Sequence, residues 1–304
     1  MKRLALSMAF APFLWCPSAA ALLLLMGLGL APASHGQPAT AVNTPQAVVP
    51  PPGLTGTLPP PASAPAPAAP TPAPAPARGV IVVEINGNIN QDLVHKVRRA
   101  LEGTDPQRFP AGALLVLNSA GGNGVSAMEI GRIARAARAH AFVRGRCASA
   151  CTFILAGSVM RGVGTERSVG IHRGRLTQTV KDRGEVTVDV STNPNAARVL
   201  EVVEQLTESY LREMGLPDAF FRTMQAVPPD QTRYLELAEL ERVGMLGFDP
   251  EYRSTRAAAG AAQFRISEEE FVQRTLRVAG LCLHPDTPPS ELVRCYRRVL
   301  QTGS

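Results

Sequence analysis

From residue 79 onward, short apolar runs alternate with amphipathic stretches. Val80-Ile81-Val82-Val83-Glu84-Ile85 is nearly continuous in β-branched side chains, as a strand covered on both faces requires. Asn86-Gly87-Asn88 reads as a turn, and Asn90 is placed to cap a helix with Leu93, Val94, Val97 and Leu101 on one face. Ala113-Leu114-Leu115-Val116-Leu117 is a second buried strand, running into a glycine-rich loop over 118–124. A helix is predicted over 125–139, with Met128, Ile130 and Ile133 apolar, and Ala141-Phe142-Val143 is a third strand. Cys147-Ala148-Ser149-Ala150-Cys151 follows, then an apolar helical run over 152–157. A fourth strand over 168–171 ends at His172. Strands and helices in this alternation imply parallel βαβ units with right-handed crossovers, an α/β fold.

Residues 177–195 are polar, with a Val-Thr-Val stretch that suits a small hairpin. A long amphipathic helix over 196–214 carries Val199, Val202, Val203, Leu206, Tyr210 and Leu211. A shorter helix over 216–224, a helix over 237–243 and a last strand near 245–248 complete a domain assigned to 79–250. The remainder, 251–304, reads as an Arg/Ala/Gly linker and then a helical pair. Ser267-Glu268-Glu269-Glu270 is a capping box for the first helix, and 288–300 forms the second. This C-terminal extension is too small to stand alone.

The N-terminus changes the picture of where the domain resides. Met1-Lys2-Arg3 is a basic start, an apolar run follows to Leu30, and Ala31-Pro32-Ala33 offers small residues. Residues 1–36 are read as a signal peptide or an uncleaved signal anchor, which implies export. Residues 37–78 are dominated by Pro and Ala and read as a disordered, polyproline-like linker, a possible membrane tether. The expected location is the periplasm, or the inner membrane facing it. The net charge of +6 is carried almost wholly by scattered Arg, with few aromatics, so no nucleic-acid platform is indicated. No cofactor motif is present, and none is expected.

Cysteine use fits an oxidising compartment. Outside the leader stand Cys147, Cys151, Cys282 and Cys295, an even number in an exported chain. The preferred pairing is between sequence neighbours, 147–151 and 282–295, with buried free thiols the alternative at 147 and 151. A first bridge would stiffen the turn around Ser149, and a second would staple the C-terminal pair. Cys282, His284 and Cys295 are an alternative metal set, but no second Cys-x-x-Cys accompanies them.

Three elements carry candidate chemistry: a Gly-Gly loop after one strand, a serine after the next, and a histidine at the end of the one after that. Loops at the carboxyl ends of parallel strands converge on one sheet edge. There Ser149 is placed as nucleophile and His172 as its base. A glycine of the loop lets the backbone approach, and the Ala150 N–H at a helix start points the same way, which suits an oxyanion hole. A Ser–Lys mechanism would need Lys181, which lies in the polar insertion.

On these residues the chain resembles the Clp protease proteolytic subunit. Leu117-Asn118-Ser119-Ala120-Gly121-Gly122 is similar to that family's Asn-Ser-Pro-Gly-Gly loop, Ala148-Ser149-Ala150 to its nucleophile turn, and Gly170-Ile171-His172 to its base-bearing strand end. The resemblance spans about 80–249, and is nearer still to exported Clp-like bacterial proteins with Cys on either side of the Ser. It implies a Clp-protease/crotonase-like spiral of repeated ββα units with a mainly parallel sheet, and a serine peptidase acting on a peptide or protein substrate. It also implies Gly122 with Ala150 as the oxyanion hole, whereas the family's double-ring assembly does not carry over. A homo-oligomer is expected only because parallel sheets of this class often assemble through their outer helices. Two departures stand out. Ala120 replaces Pro, and the position for the third triad member falls near 224–228, where there is no carboxylate. Asp230 is the nearest candidate. The rival reading is a catalytically inactive module that binds peptides or a membrane partner; acyl-CoA chemistry ranks last, since CoA is not expected outside the cytoplasm.

Overall fold

The computed structural model describes residues 79–105, 111–182 and 184–304. The expected leader over 1–36 and linker over 37–78 lie outside the described residues. Among the described residues no helix is long and apolar enough to cross a membrane.

The chain order is β1 (Ile81–Ile89), α1 (Gln91–Leu101), β2 (Ala113–Gly122), α2 (Gly124–Ala136), β3 (His140–Ala148), α3 (Cys151–Gly157), β4 (Met160–Val163) and β5 (Val169–Ile171). A hairpin of β6 (Thr177–Val180) and β7 (Gly184–Thr187) follows, then α4 (Pro194–Glu213), α5 (Asp218–Gln225), β8 (Arg233–Leu235), α6 (Leu237–Arg242) and β9 (Gly247–Phe248). Helices α7 (Pro250–Phe264), α8 (Glu268–Cys282) and α9 (Pro289–Thr302) end it. The main sheet runs β1-β2-β3-β4-β9, with β5 beside β3 and β8 beside β5. Pairs among β1 to β5 are parallel, and β8 and β9 join antiparallel. The fold is therefore α/β with a mainly parallel sheet.

Strand alternation divides the core in two. Leu115, Leu117, Ala141 and Val143 point towards α1 to α4, while Leu114, Val116, Phe142 and Met160 point towards α7 to α9. Each of the Leu, Val, Phe and Met side chains among these, once fully buried, contributes about 1.5–3 kcal/mol. That is why β2 is apolar at every position from Ala113 to Leu117: neither face meets water.

Two expectations are corrected. The turn over 86–88 lies within β1, whose register slips between Asn86 and Asn88. The linker after Asp249 is α7. Asp249 caps it, its carboxylate accepting from Tyr252 N–H at 3.0 Å, and Pro250 occupies the first turn. The helix packs through Tyr252, Ala257 and Ala261, so the C-terminal extension is three helices laid on the second sheet face.

His140 ties that extension to the sheet. It is fully buried on β3, and its ring nitrogens meet Tyr296 Oη at 2.8 Å and Tyr252 Oη at 3.2 Å. Burial lowers its pKa from 6.5 to about 3. Between these values the unfolded chain binds a proton that the folded chain refuses, so stability rises with pH through that window. Urea unfolding between pH 7 and pH 4 is expected to show a loss approaching about 1.4 kcal/mol per pH unit from this group as the pH falls below 6.5. His140→Gln should flatten that slope.

Candidate active site

Ser149 follows β3, and His172 follows β5, the parallel neighbour of β3 with Cys147 opposite Val169 and Ala148 opposite Gly170. The glycine loop ends β2, on the other side of β3, where Ser119 lies opposite Cys147. Three adjacent strand ends thus bring together residues far apart in sequence.

Ser149 turns the chain from strand to helix. Its N–H donates to Gly170 O at 2.9 Å, and its carbonyl accepts from Thr152 N–H at 3.0 Å and Thr152 Oγ at 2.7 Å. Its φ of 54° is left-handed, unusual for a residue with a Cβ. This corner directs Oγ at His172 Nε2, 2.7 Å away. His172 Nδ1 lies 2.8 Å from the carbonyl of Arg173. A carbonyl only accepts, so the neutral ring carries its proton on Nδ1 and leaves Nε2 free to accept from the serine.

Asp230 does not join this pair. It is exposed beyond Pro229, and among the described residues no carboxylate is hydrogen-bonded to His172. The turn meets the chain just after His172 through its backbone instead: Val227 O accepts from Arg173 N–H at 3.0 Å, and Pro229 O accepts from Arg175 at 3.2 Å. Replacing Asp230 with Asn is expected to change kcat/KM by less than about twofold, whereas an orienting carboxylate would cost about 10⁴-fold. Peptide-hydrolysis kinetics separate the two. Lys181 lies exposed at the turn of the β6–β7 hairpin.

The glycine loop adds a residue that the sequence reading passed over. A Cβ on Gly121, whose φ is 115°, would lie 2.7 Å from Ser149 Cβ. Gly121 is thus the glycine against Ser149. Gly122, with φ 143°, lies against β1, where a Cβ would meet Ile89 O at 2.3 Å. Ser119 fixes the loop, accepting from Gly121 N–H at 3.0 Å and donating to Gly87 O at 2.5 Å. Ala150 is buried, and its N–H has no acceptor among the described residues.

The cysteines pair as Cys147–Cys151 and Cys282–Cys295. Two disulfides fit an oxidising compartment, and the second removes both sulfurs from metal ligation. A cavity of about 410 Å³ lies by that second bridge, lined by His284, Thr287, Arg294 and Arg298 among others, and shares no residue with the Ser149–His172 pair.

No protein-family model matches the chain, and no curated protein does. Among solved structures the chain is similar to a serine-to-alanine mutant of the 1510-N membrane-bound stomatin-specific protease. That similarity covers 57% of this chain and 79% of that one, at 16% identity and a TM-score of 0.42. Likeness at this level carries no functional weight. The chemistry of the site rests on its own geometry.

Proposed function

We propose that the chain is an exported serine hydrolase, a peptidase of Clp-protease/crotonase-like fold, with Ser149 as nucleophile and His172 as base. The observation that carries this reading is the 2.7 Å contact between Ser149 Oγ and His172 Nε2, made from a left-handed corner at a strand end. Oγ attacks the substrate carbonyl carbon while Nε2 takes its proton. The Nδ1–H···O=C bond to Arg173 holds the ring during the transfer. The oxyanion is received by Ala150 N–H together with the Gly122 amide, since Gly121 N–H is already given to Ser119 Oγ. Imidazolium then returns the proton to the leaving amine, and water, deprotonated by Nε2, hydrolyses the acyl-enzyme. The oxidised cysteines support the envelope location, and a peptide or protein is the substrate class. A membrane tether through the N-terminus and assembly of several copies belong to the same reading.

A second reading is supported by one feature: the His172 partner is a carbonyl, which lacks the charge a carboxylate would offer the imidazolium. On that reading the site binds peptides without turnover. Incubating the full chain with a peptide library and analysing it by mass spectrometry decides. Cleavage products that vanish in His172→Ala support the hydrolase. Peptide binding retained in Ser149→Ala, with no products from wild type, supports the binding module.

A further inference from the structure

We propose that the Cys147–Cys151 bridge is a positioning element for the nucleophile, holding Ser149 Oγ within reach of His172 Nε2. The proposal deepens the hydrolase reading of this site. Cys147 is near the end of β3, Cys151 opens α3, and Ser149 stands midway between them. The two Cα atoms are 5.1 Å apart. Four residue steps of extended chain would separate them by about 13 Å, so the bridged form excludes an extended 147–151 segment and is compatible with the reversal that Ser149 makes. A left-handed conformation at a residue with a Cβ persists only where its surroundings over-determine it. Three non-covalent restraints act here: Gly170 O on Ser149 N–H, Thr152 on Ser149 O, and Gly121 against Ser149 Cβ. The bridge is the covalent one.

Its placement suits this purpose better than global stabilisation. Loop-closure entropy removed from the unfolded chain grows with loop length. A separation of 4 residues is a poor place for a staple, while the 13 of Cys282–Cys295 joins two helices. Both sulfurs around Ser149 are fully buried and bonded to each other, so neither serves as a nucleophile. The two bridges thus divide the work, one setting site geometry and the other holding the C-terminal helices.

The test is ¹⁵N NMR of the histidine rings in the full chain, which reads the site whether or not it turns over substrate. In Cys147→Ala/Cys151→Ala, the His172 Nε2 resonance is expected to move to its position in Ser149→Ala. In Cys282→Ala/Cys295→Ala it should keep the wild-type position. The buried His140 ring reports in the same spectrum that the fold persists. Should the first variant fail to fold, a dithiol reductant is added to Cys282→Ala/Cys295→Ala. The dithiol gives two electrons and two protons to the remaining bridge, leaving two thiols, and itself becomes a disulfide. The same shift is then expected. A wild-type Nε2 resonance in the folded, bridge-free protein overturns the proposal. Fluorophosphonate labelling runs in parallel and is expected to slow about 100-fold without the bridge, the cost of a misplacement near 1 Å. Absence of labelling in wild type would sink the hydrolase reading, while the NMR result would still decide the positioning role.

Discussion

His172→Ala is expected to lower kcat/KM for peptide hydrolysis by about 10³- to 10⁶-fold, with Ser149→Ala falling to the same floor. The serine is a weak nucleophile until its proton has somewhere to go, and Nε2 at 2.7 Å is the acceptor the fold supplies. Because the two side chains act as a unit, the double variant should be no slower than either single one. Multiplicative losses would mean that the residues act independently, and the dyad would be wrong. KM should change much less than kcat, since neither group is needed to hold the ground state.

Arg161→Ala is expected to cost about 3–5 kcal/mol of stability. Arg161 lies on β4, 2% exposed, with its guanidinium inside the protein. It donates to Ala156 O at 2.8 and 3.2 Å, to Gly244 O at 2.7 Å and to Met214 O at 3.3 Å. These carbonyls lie at the ends of α3 and α4 and after α6, so one side chain ties three chain segments together. Met214 O keeps Arg135 as a partner, but Ala156 O and Gly244 O lose theirs. Burial lowers the pKa of Arg161 to about 10, so it stays charged at neutral pH. The variant also leaves a cavity where the long side chain ran. Urea midpoints read the effect directly. A loss below about 1 kcal/mol would show that water replaces these bonds at little cost.

Much of this was legible in the sequence because the buried strands advertise themselves. The 113–117 run is apolar at every position, and only a strand covered on both faces needs that. Ser149 and His172 were legible through their strand-end placement. Other parts carried no such signal. Helix α7 hides in an Arg/Ala/Gly composition because it packs through small side chains, although Asp249-Pro250 is a helix start that the sequence displays. Strand β4 holds a buried arginine and a glycine in four residues, which no alternation rule selects. The partner of His172 Nδ1 is a main-chain carbonyl, and a carbonyl has no residue identity to find. Adjacent Gly121 and Gly122 look alike in sequence, and only packing distinguishes the one against Ser149 from the one against β1.

The most direct test of the central claim is to treat the full chain with a fluorophosphonate and locate the adduct by intact mass and peptide mapping. The expected result is one phosphonyl group on Ser149, absent in Ser149→Ala and in His172→Ala. A folded wild-type chain that stays unmodified, or one modified at another residue, would contradict it.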